Sequence, residues 1–236
     1  MHTEKIRYRD GEVELEGHLA LPAFDSAVRP AVLVCHAYAG QSDIERAKAE
    51  ALAGLGYVGF AIDLYGPGVL GGTPEECNRL MAPFLDDRAM LRRRLLAGLE
   101  AVRGHERVDT SRVAAIGFCF GGLCALDLAR SGADLRGVVA FHGLLQGSGL
   151  PPETIRARVL ALHGWSDPLA TPEQVLAFAS EMTEAGVDWQ LHAYGRTAHA
   201  FTNPRARFPD KGLVYDAAAD RRSWQSMKSF LAECLD

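Results

Sequence analysis

Apolar positions along the chain switch repeatedly between two periods. The short runs "AVLVCH" (31–36), "VGFAID" (58–63), "RVAAIGF" (112–118), "GVVAFHG" (137–143), "RVLALHG" (158–164) and "DWQLHAY" (188–194) are dense in β-branched, aromatic and small apolar residues and read as strands. Ahead of them, "TEKIRYR" and "VELEGHLAL" alternate polar with apolar on either side of "DG", the pattern of an antiparallel hairpin at a sheet edge. Hairpin and runs together predict eight strands.

Between these runs the period lengthens to that of a helix. "SDIERAKAEALAGLG" opens on Ser42, carries Glu45 three residues later as a capping box requires, and closes on Gly56. "TPEECNRLMAPFLDDRAMLRRRLLAGLEAVRG" opens on Thr73-Pro74, a favoured cap and first-turn pair, and Pro83 is expected to kink or divide it. "TPEQVLAFASEMTEAG" repeats that opening at Thr171-Pro172, and "AAADRRSWQSMKSFLAECL" supplies a last amphipathic cover. Strands alternating with helices predict an α/β fold: a mostly parallel eight-stranded sheet with helices on both faces. No repeat, low-complexity tract or linker breaks the pattern, so residues 1–236 are expected to form a single domain.

Composition narrows the function. With 48% hydrophobic and 23% charged residues, a packed core is expected. The net charge of -5 is mild, and the arginines are scattered except for Arg92, Arg93 and Arg94, expected on a solvated helix face, so nucleic acid is not an expected partner. The N-terminus lacks an apolar signal core and no 18 apolar residues run consecutively, which points away from membranes and toward the cytoplasm. Five cysteines, without a C-x-x-C pair or a His/Cys cluster at ligand spacing, give neither a disulfide framework nor a metal site, and no cofactor is expected. Cys35 and Cys124 read as small core residues.

The chemistry concentrates at strand ends, where open α/β sheets bind ligands. "IGFCFGG" (116–122) has the glycine spacing of a G-x-S-x-G nucleophile turn, with Cys119 in the serine position. Such a strand-to-helix turn tolerates only tiny neighbours, which accounts for Gly117 and Gly121. At the start of the next helix, the positive dipole end and free N–H groups favour a thiolate. A buried cysteine in a glycine-rich turn has the same local pattern. Asp167 follows the strand in "RVLALHGWSDP", and His199 follows the last strand in "LHAYGRTAHAF". The chain order nucleophile, acid, histidine, each after a separate strand, is that of the α/β-hydrolase triad. Asp63 is the alternative acid, but its strand precedes the nucleophile strand. Among rival histidines, His163 is expected to buttress the acid loop and His36 to orient "HAYAG" through a hydrogen bond, while His142 ends another strand.

Taken in order, "VLVCHAYAG", "LAGLGYVGFAIDLYG", "VAAIGFCFGG", "LHGWSDP" and "AHAF" resemble the dienelactone hydrolase family of α/β-hydrolases across nearly the whole chain. The resemblance implies Cys119 as nucleophile, Asp167 as acid, His199 as base, and the backbone N–H groups of Phe120 and Tyr38 as oxyanion donors. Family members acting on dienelactone carry a glutamate where this chain has Ala37 and a carboxylate-binding arginine where it has Asn203. The departure implies a substrate other than a carboxylated dienelactone, with Arg205 or Arg207 left as loop residues able to reach in.

The expected activity is hydrolysis of small, uncharged esters or lactones through a Cys119 thioester, with side activity on neutral phosphotriesters. Tyr38, Tyr65, Leu70, Phe84, Phe120, Leu144 and Trp165 are expected pocket walls, and the protein is expected to be a monomer or homodimer. The competing reading is a redox-sensing or non-turnover thiol on a hydrolase scaffold, since an exposed low-pKa cysteine is readily oxidised.

Overall fold

The computed structural model describes residues 1–22 and 26–236. Its eight-stranded sheet has the order β1-β2-β4-β3-β5-β6-β7-β8. These strands are β1 (His2–Asp10), β2 (Val13–Leu21), β3 (Arg29–Cys35), β4 (Val58–Ala61), β5 (Val108–Phe118), β6 (Gly137–Phe141), β7 (Arg158–Gly164) and β8 (Trp189–Tyr194). β1 and β2 form the expected antiparallel edge hairpin, β2 also runs antiparallel to β4, and β3 through β8 are parallel to one another. The α/β-hydrolase architecture read from the sequence is the one observed.

Both faces of the sheet are covered, which is why the parallel strands read as continuous apolar runs. Along β3, Ala31, Leu33 and Cys35 enter one core while Val32 and Val34 enter the other. The first core includes residues of α2 (Pro74–Asp86), α3 (Arg88–Arg103), α4 (Phe120–Arg130) and α5 (Pro172–Glu184); the second includes α1 (Asp43–Gly54) and α6 (Ala217–Leu235). Cys35 and Cys124 are fully buried, and burial pushes the Cys35 thiol up to about 12, so both behave as core residues.

Local signals set the helix ends. Ser42 caps α1 and Glu45 closes the capping box, with Oε2 accepting from the Ser42 N–H at 2.9 Å. Thr73 does the same for α2 with Glu76. The 73–104 segment divides as expected, but the break falls at Asp87 rather than at Pro83, which sits inside α2 and accepts the Asp87 N–H at 3.0 Å. Asp87 then caps α3 by accepting from the Met90 N–H at 2.8 Å. A two-strand ribbon, β9 (Arg207–Phe208) with β10 (Leu213–Val214), was not expected from the sequence.

One expectation is overturned. Arg94 is not on a solvated face: it is 6% exposed, lies against the Phe84 ring, donates to Asp10 Oδ2 at 2.9 Å and to the Leu64 carbonyl at 2.6 Å. Arg93 alone of the triplet is largely exposed.

A second buried cluster ties α3, α4 and α5 together. Asp127 accepts from Arg88 at 2.8 Å and from Arg130 at 3.2 Å, and Arg130 forks onto Glu181 at 2.7 Å. Burial raises the Asp127 carboxyl pKa while the guanidiniums oppose the rise. Removing the carboxylate strands Arg88 without a counter-charge, and loss of one partner of such a buried pair costs about 3 kcal/mol or more. Asp127→Ala is therefore expected to lower unfolding free energy by that amount in urea titration, without changing the hydrolytic rate per folded molecule.

Candidate active site

β5 runs into Cys119, and α4 begins at the next residue. Cys119 has φ 57° and ψ −118°, a left-handed conformation costly for a residue with a Cβ. The turn is held from both sides. Its N–H donates to the Phe141 carbonyl at the end of β6 at 3.0 Å, and its own carbonyl accepts the Gly122 N–H at 2.9 Å. A Cβ on Gly117 would collide with the Gly121 backbone, and one on Gly121 with the Cys35 carbonyl, so the flanking glycines permit the strand and helix to meet. The same contact seats the first turn of α4 against the Cys35–His36 backbone. Cys119 keeps partial exposure, unlike Cys35, Cys77 and Cys124.

His199 and Asp167 come together as their chain order predicts. The imidazole Nδ1–H donates to Asp167 Oδ2 at 2.7 Å, and Asp167 Oδ1 accepts the Leu169 N–H at 2.8 Å. Both residues are buried. The β9–β10 ribbon explains how the histidine loop is held: the His199 N–H donates to Gly212, and the Val214 N–H donates to the His199 carbonyl. The outer nitrogen, Nε2, is buried and has no hydrogen-bond partner among the described residues.

The Cys119 sulfur is close enough to His199 to influence its charge. Burial, the largest influence on His199, disfavours its charged form, yet the Cys119 charge and then the Asp167 hydrogen bond and charge raise its pKa to about 10. The arrangement favours an imidazolium at His199 beside the Cys119 sulfur.

Burial holds the other imidazoles near this pair in the neutral form. His142 packs edge-on to His199 with ring centroids 5.0 Å apart, and bonds Thr202 Oγ1 at 2.8 Å through Nε2. Burial, then the His199 charge, holds the His142 pKa well below the usual histidine range; burial likewise lowers His163. The sequence marked His142 only as one of several strand-end histidines, and its contact with His199 depends on packing between distant loops. Asp63, the alternative acid, is committed elsewhere: it accepts from the N–H groups of Glu16, Tyr65 and Gly66.

The expected pocket residues divide. Tyr65 packs against His36 and Phe84, and its hydroxyl donates to the Tyr38 carbonyl at 3.1 Å. Leu70, half exposed, lies over Gly40, and Leu144 is partly buried against the core. The Phe84 and Phe120 rings are buried, so they form core beneath the site rather than an open wall. Trp165 is 50% exposed and stands edge-on to His163. Asn203 caps its own turn by accepting the Arg205 N–H, and Arg205 points to Asp43, pairing at 2.7 Å, instead of reaching in.

The sequence pattern of the dienelactone hydrolase family matches residues 15–235. This chain belongs to the dienelactone hydrolase family. Its members' likeness extends to solved structures: m3DLH is 39% identical with TM-score 0.93, covering 100% of this chain and 99% of that one. A dienelactone hydrolase-like promiscuous phosphotriesterase from metagenomic libraries is 37% identical with TM-score 0.91, at the same coverage. A protein of Aquifex aeolicus named "Putative carboxymethylenebutenolidase" is 26% identical over 98% of this chain and 99% of its own length. As a member of this family the chain is an ester or lactone hydrolase.

The interaction between Cys119 and His199 is measurable without substrate. Because the sulfur's charge is the largest influence raising His199, Cys119→Ala is expected to lower its pKa from about 10. Imidazole NMR titration should show His199 losing its proton at lower pH in the variant; an unchanged titration would place the sulfur outside its reach.

Proposed function

We propose that this family member cleaves esters or lactones of small, uncharged molecules through a thioester on Cys119. One observation carries the reading: His199 gives its Nδ1–H to Asp167 and leaves Nε2 without a partner, while the Cys119 sulfur is near enough to raise its pKa.

The sulfur adds to the substrate carbonyl while His199 holds the thiol proton as imidazolium. The carbonyl oxygen takes the negative charge, within reach of the N–H groups of Phe120 and Tyr38. Phe120 is the first residue of α4, so its N–H has no partner inside the helix. Collapse expels the alcohol oxygen, which takes the proton from Nε2 and leaves an acyl group on sulfur. Water then gives its proton to Nε2 and adds to the thioester. The second collapse releases the acid and returns the proton to the resting pair.

The preference for uncharged substrates rests on where the cations are held. Arg88, Arg94 and Arg130 are each bound to carboxylates in the interior, Arg205 pairs with Asp43, and position 37 is an alanine. A neutral phosphotriester also places negative charge on an oxygen as the sulfur adds, so the same donors serve it. The metagenomic relative's described activity supports that side reaction. Slow release of phosphorylated sulfur limits its turnover.

On 4-nitrophenyl acetate, wild type is expected to turn over steadily, and Cys119→Ala or His199→Ala to lose at least about a thousandfold in kcat, a scale set by the cooperation of nucleophile and base. Stopped-flow release of 4-nitrophenol checks it. Equal turnover in all three proteins rejects the assignment, whereas a wild-type burst without steady turnover identifies a reactive thiol that does not deacylate.

A further inference from the structure

The loop that carries Tyr38 holds hydrogen bonds that the proposed cycle does not use. The Ala37 carbonyl accepts from His36 Nδ1 at 2.7 Å and from the Gly40 N–H at 3.1 Å. At the other side of the ring, the Leu64 N–H donates to His36 Nε2 at 3.3 Å. Nε2 therefore carries the lone pair, and the proton of the neutral ring sits on Nδ1. His36 is completely buried, and burial lowers its pKa, which keeps the ring neutral.

Peptide geometry turns this bond into an aim. In a trans peptide the C=O and the following N–H lie in one plane and point in opposite directions. Fixing the Ala37 carbonyl toward His36 and Gly40 thus fixes the Tyr38 N–H the other way, and among the described residues that N–H meets no acceptor. The next two carbonyls are held as well, Tyr38 by the Tyr65 hydroxyl and Ala39 by the Gly71 N–H at 3.0 Å. Gly40 closes the loop with φ +100°, where a Cβ would lie 2.7 Å from the Val69 carbonyl. The loop abuts the nucleophile turn, because Gly121 packs directly on the Cys35–His36 backbone.

We propose that His36 is a positioning residue of the oxyanion hole: its Nδ1–H bond to the Ala37 carbonyl aims the Tyr38 N–H, and the ring itself never touches substrate. The inference rests on Cys119 acting as the nucleophile of an acyl transfer. It assigns to one imidazole a role separate from that of His199, since His36 moves no proton.

Three variants separate the bond to Ala37 from the bond to Leu64. His36→Asn places an amide nitrogen where Nδ1 stands, His36→Gln places its amide near the reach of Nε2, and His36→Phe removes both. Oxyanion bonds act in the transition state, so His36→Phe and His36→Gln are expected to lose about tenfold to a hundredfold in kcat on 4-nitrophenyl acetate with KM little changed. His36→Asn is expected to keep kcat. Alkylation of Cys119 by iodoacetamide develops no oxyanion, so its rate should stay at the wild-type value in all three. If the Phe variant does not accumulate as folded protein, the Asn and Gln pair decides.

The role is overturned by wild-type kcat in His36→Gln, by equal loss in Asn and Gln, or by alkylation falling in step with kcat. Cys119→Ala measured alongside keeps the two ideas apart. Turnover surviving there overturns the nucleophile assignment and this role with it; turnover lost there but intact in His36→Gln overturns only the role of His36.

Discussion

The left-handed backbone at Cys119 is the constraint on which the rest of the site depends. A non-glycine residue in such a conformation costs about 1–3 kcal/mol and persists only where its surroundings over-determine it. Here they do: the N–H is tied to β6, the carbonyl to α4, and every residue of α4 from Phe120 to Arg130 is buried. Burying that helix stabilises the fold by more than the turn costs, since each fully buried leucine alone contributes about 1.5–3 kcal/mol. Relaxing the turn would lift α4 off the sheet, so the strain is kept, and the sulfur remains at the sheet's carboxyl edge with the N–H of Phe120 beside it.

Burial alone would disfavour any charge at this edge, and the arrangement offsets that cost by local pairing. Asp167 receives the His199 N–H and the Leu169 N–H, and His199 lies between a carboxylate and a sulfur. The other imidazoles nearby, His36, His142 and His163, have their pKa values lowered by burial. Neutral neighbours shape and support the pair without adding positive charge that would repel an imidazolium.

Much of this was legible in the sequence because its causes are local or periodic. Strands covered on both faces produce apolar runs, Ser42 with Glu45 announces a capping box, and a nucleophile turn needs small residues at 117 and 121. The order of Cys119, Asp167 and His199 could be read because each follows a strand. What escaped depends on partners far along the chain. Arg94 looks like part of a solvated triplet until Asp10 and the Leu64 carbonyl arrive beside it. The β9–β10 ribbon is too short to impose a period, and nothing near His142 in sequence reveals that its ring meets His199. Pro83 announced a broken helix correctly, yet the break waits for the capping side chain of Asp87.

The chemistry of sulfur gives the proposed cycle its direction. Charge on the Cys119 sulfur is the largest of the influences that raise the His199 pKa. When sulfur becomes a thioester that charge disappears, and burial, which opposes an imidazolium, is left facing only Asp167. The histidine then releases its proton to the leaving alcohol more readily and remains neutral, the form needed to take a proton from water. A group too acidic to be a general base before acylation would be useless for its second task, and one too basic would not free its Nε2. In the proposed cycle, charge loss at sulfur moves His199 between the two states within each turnover, so the acyl group itself prepares the base that removes it.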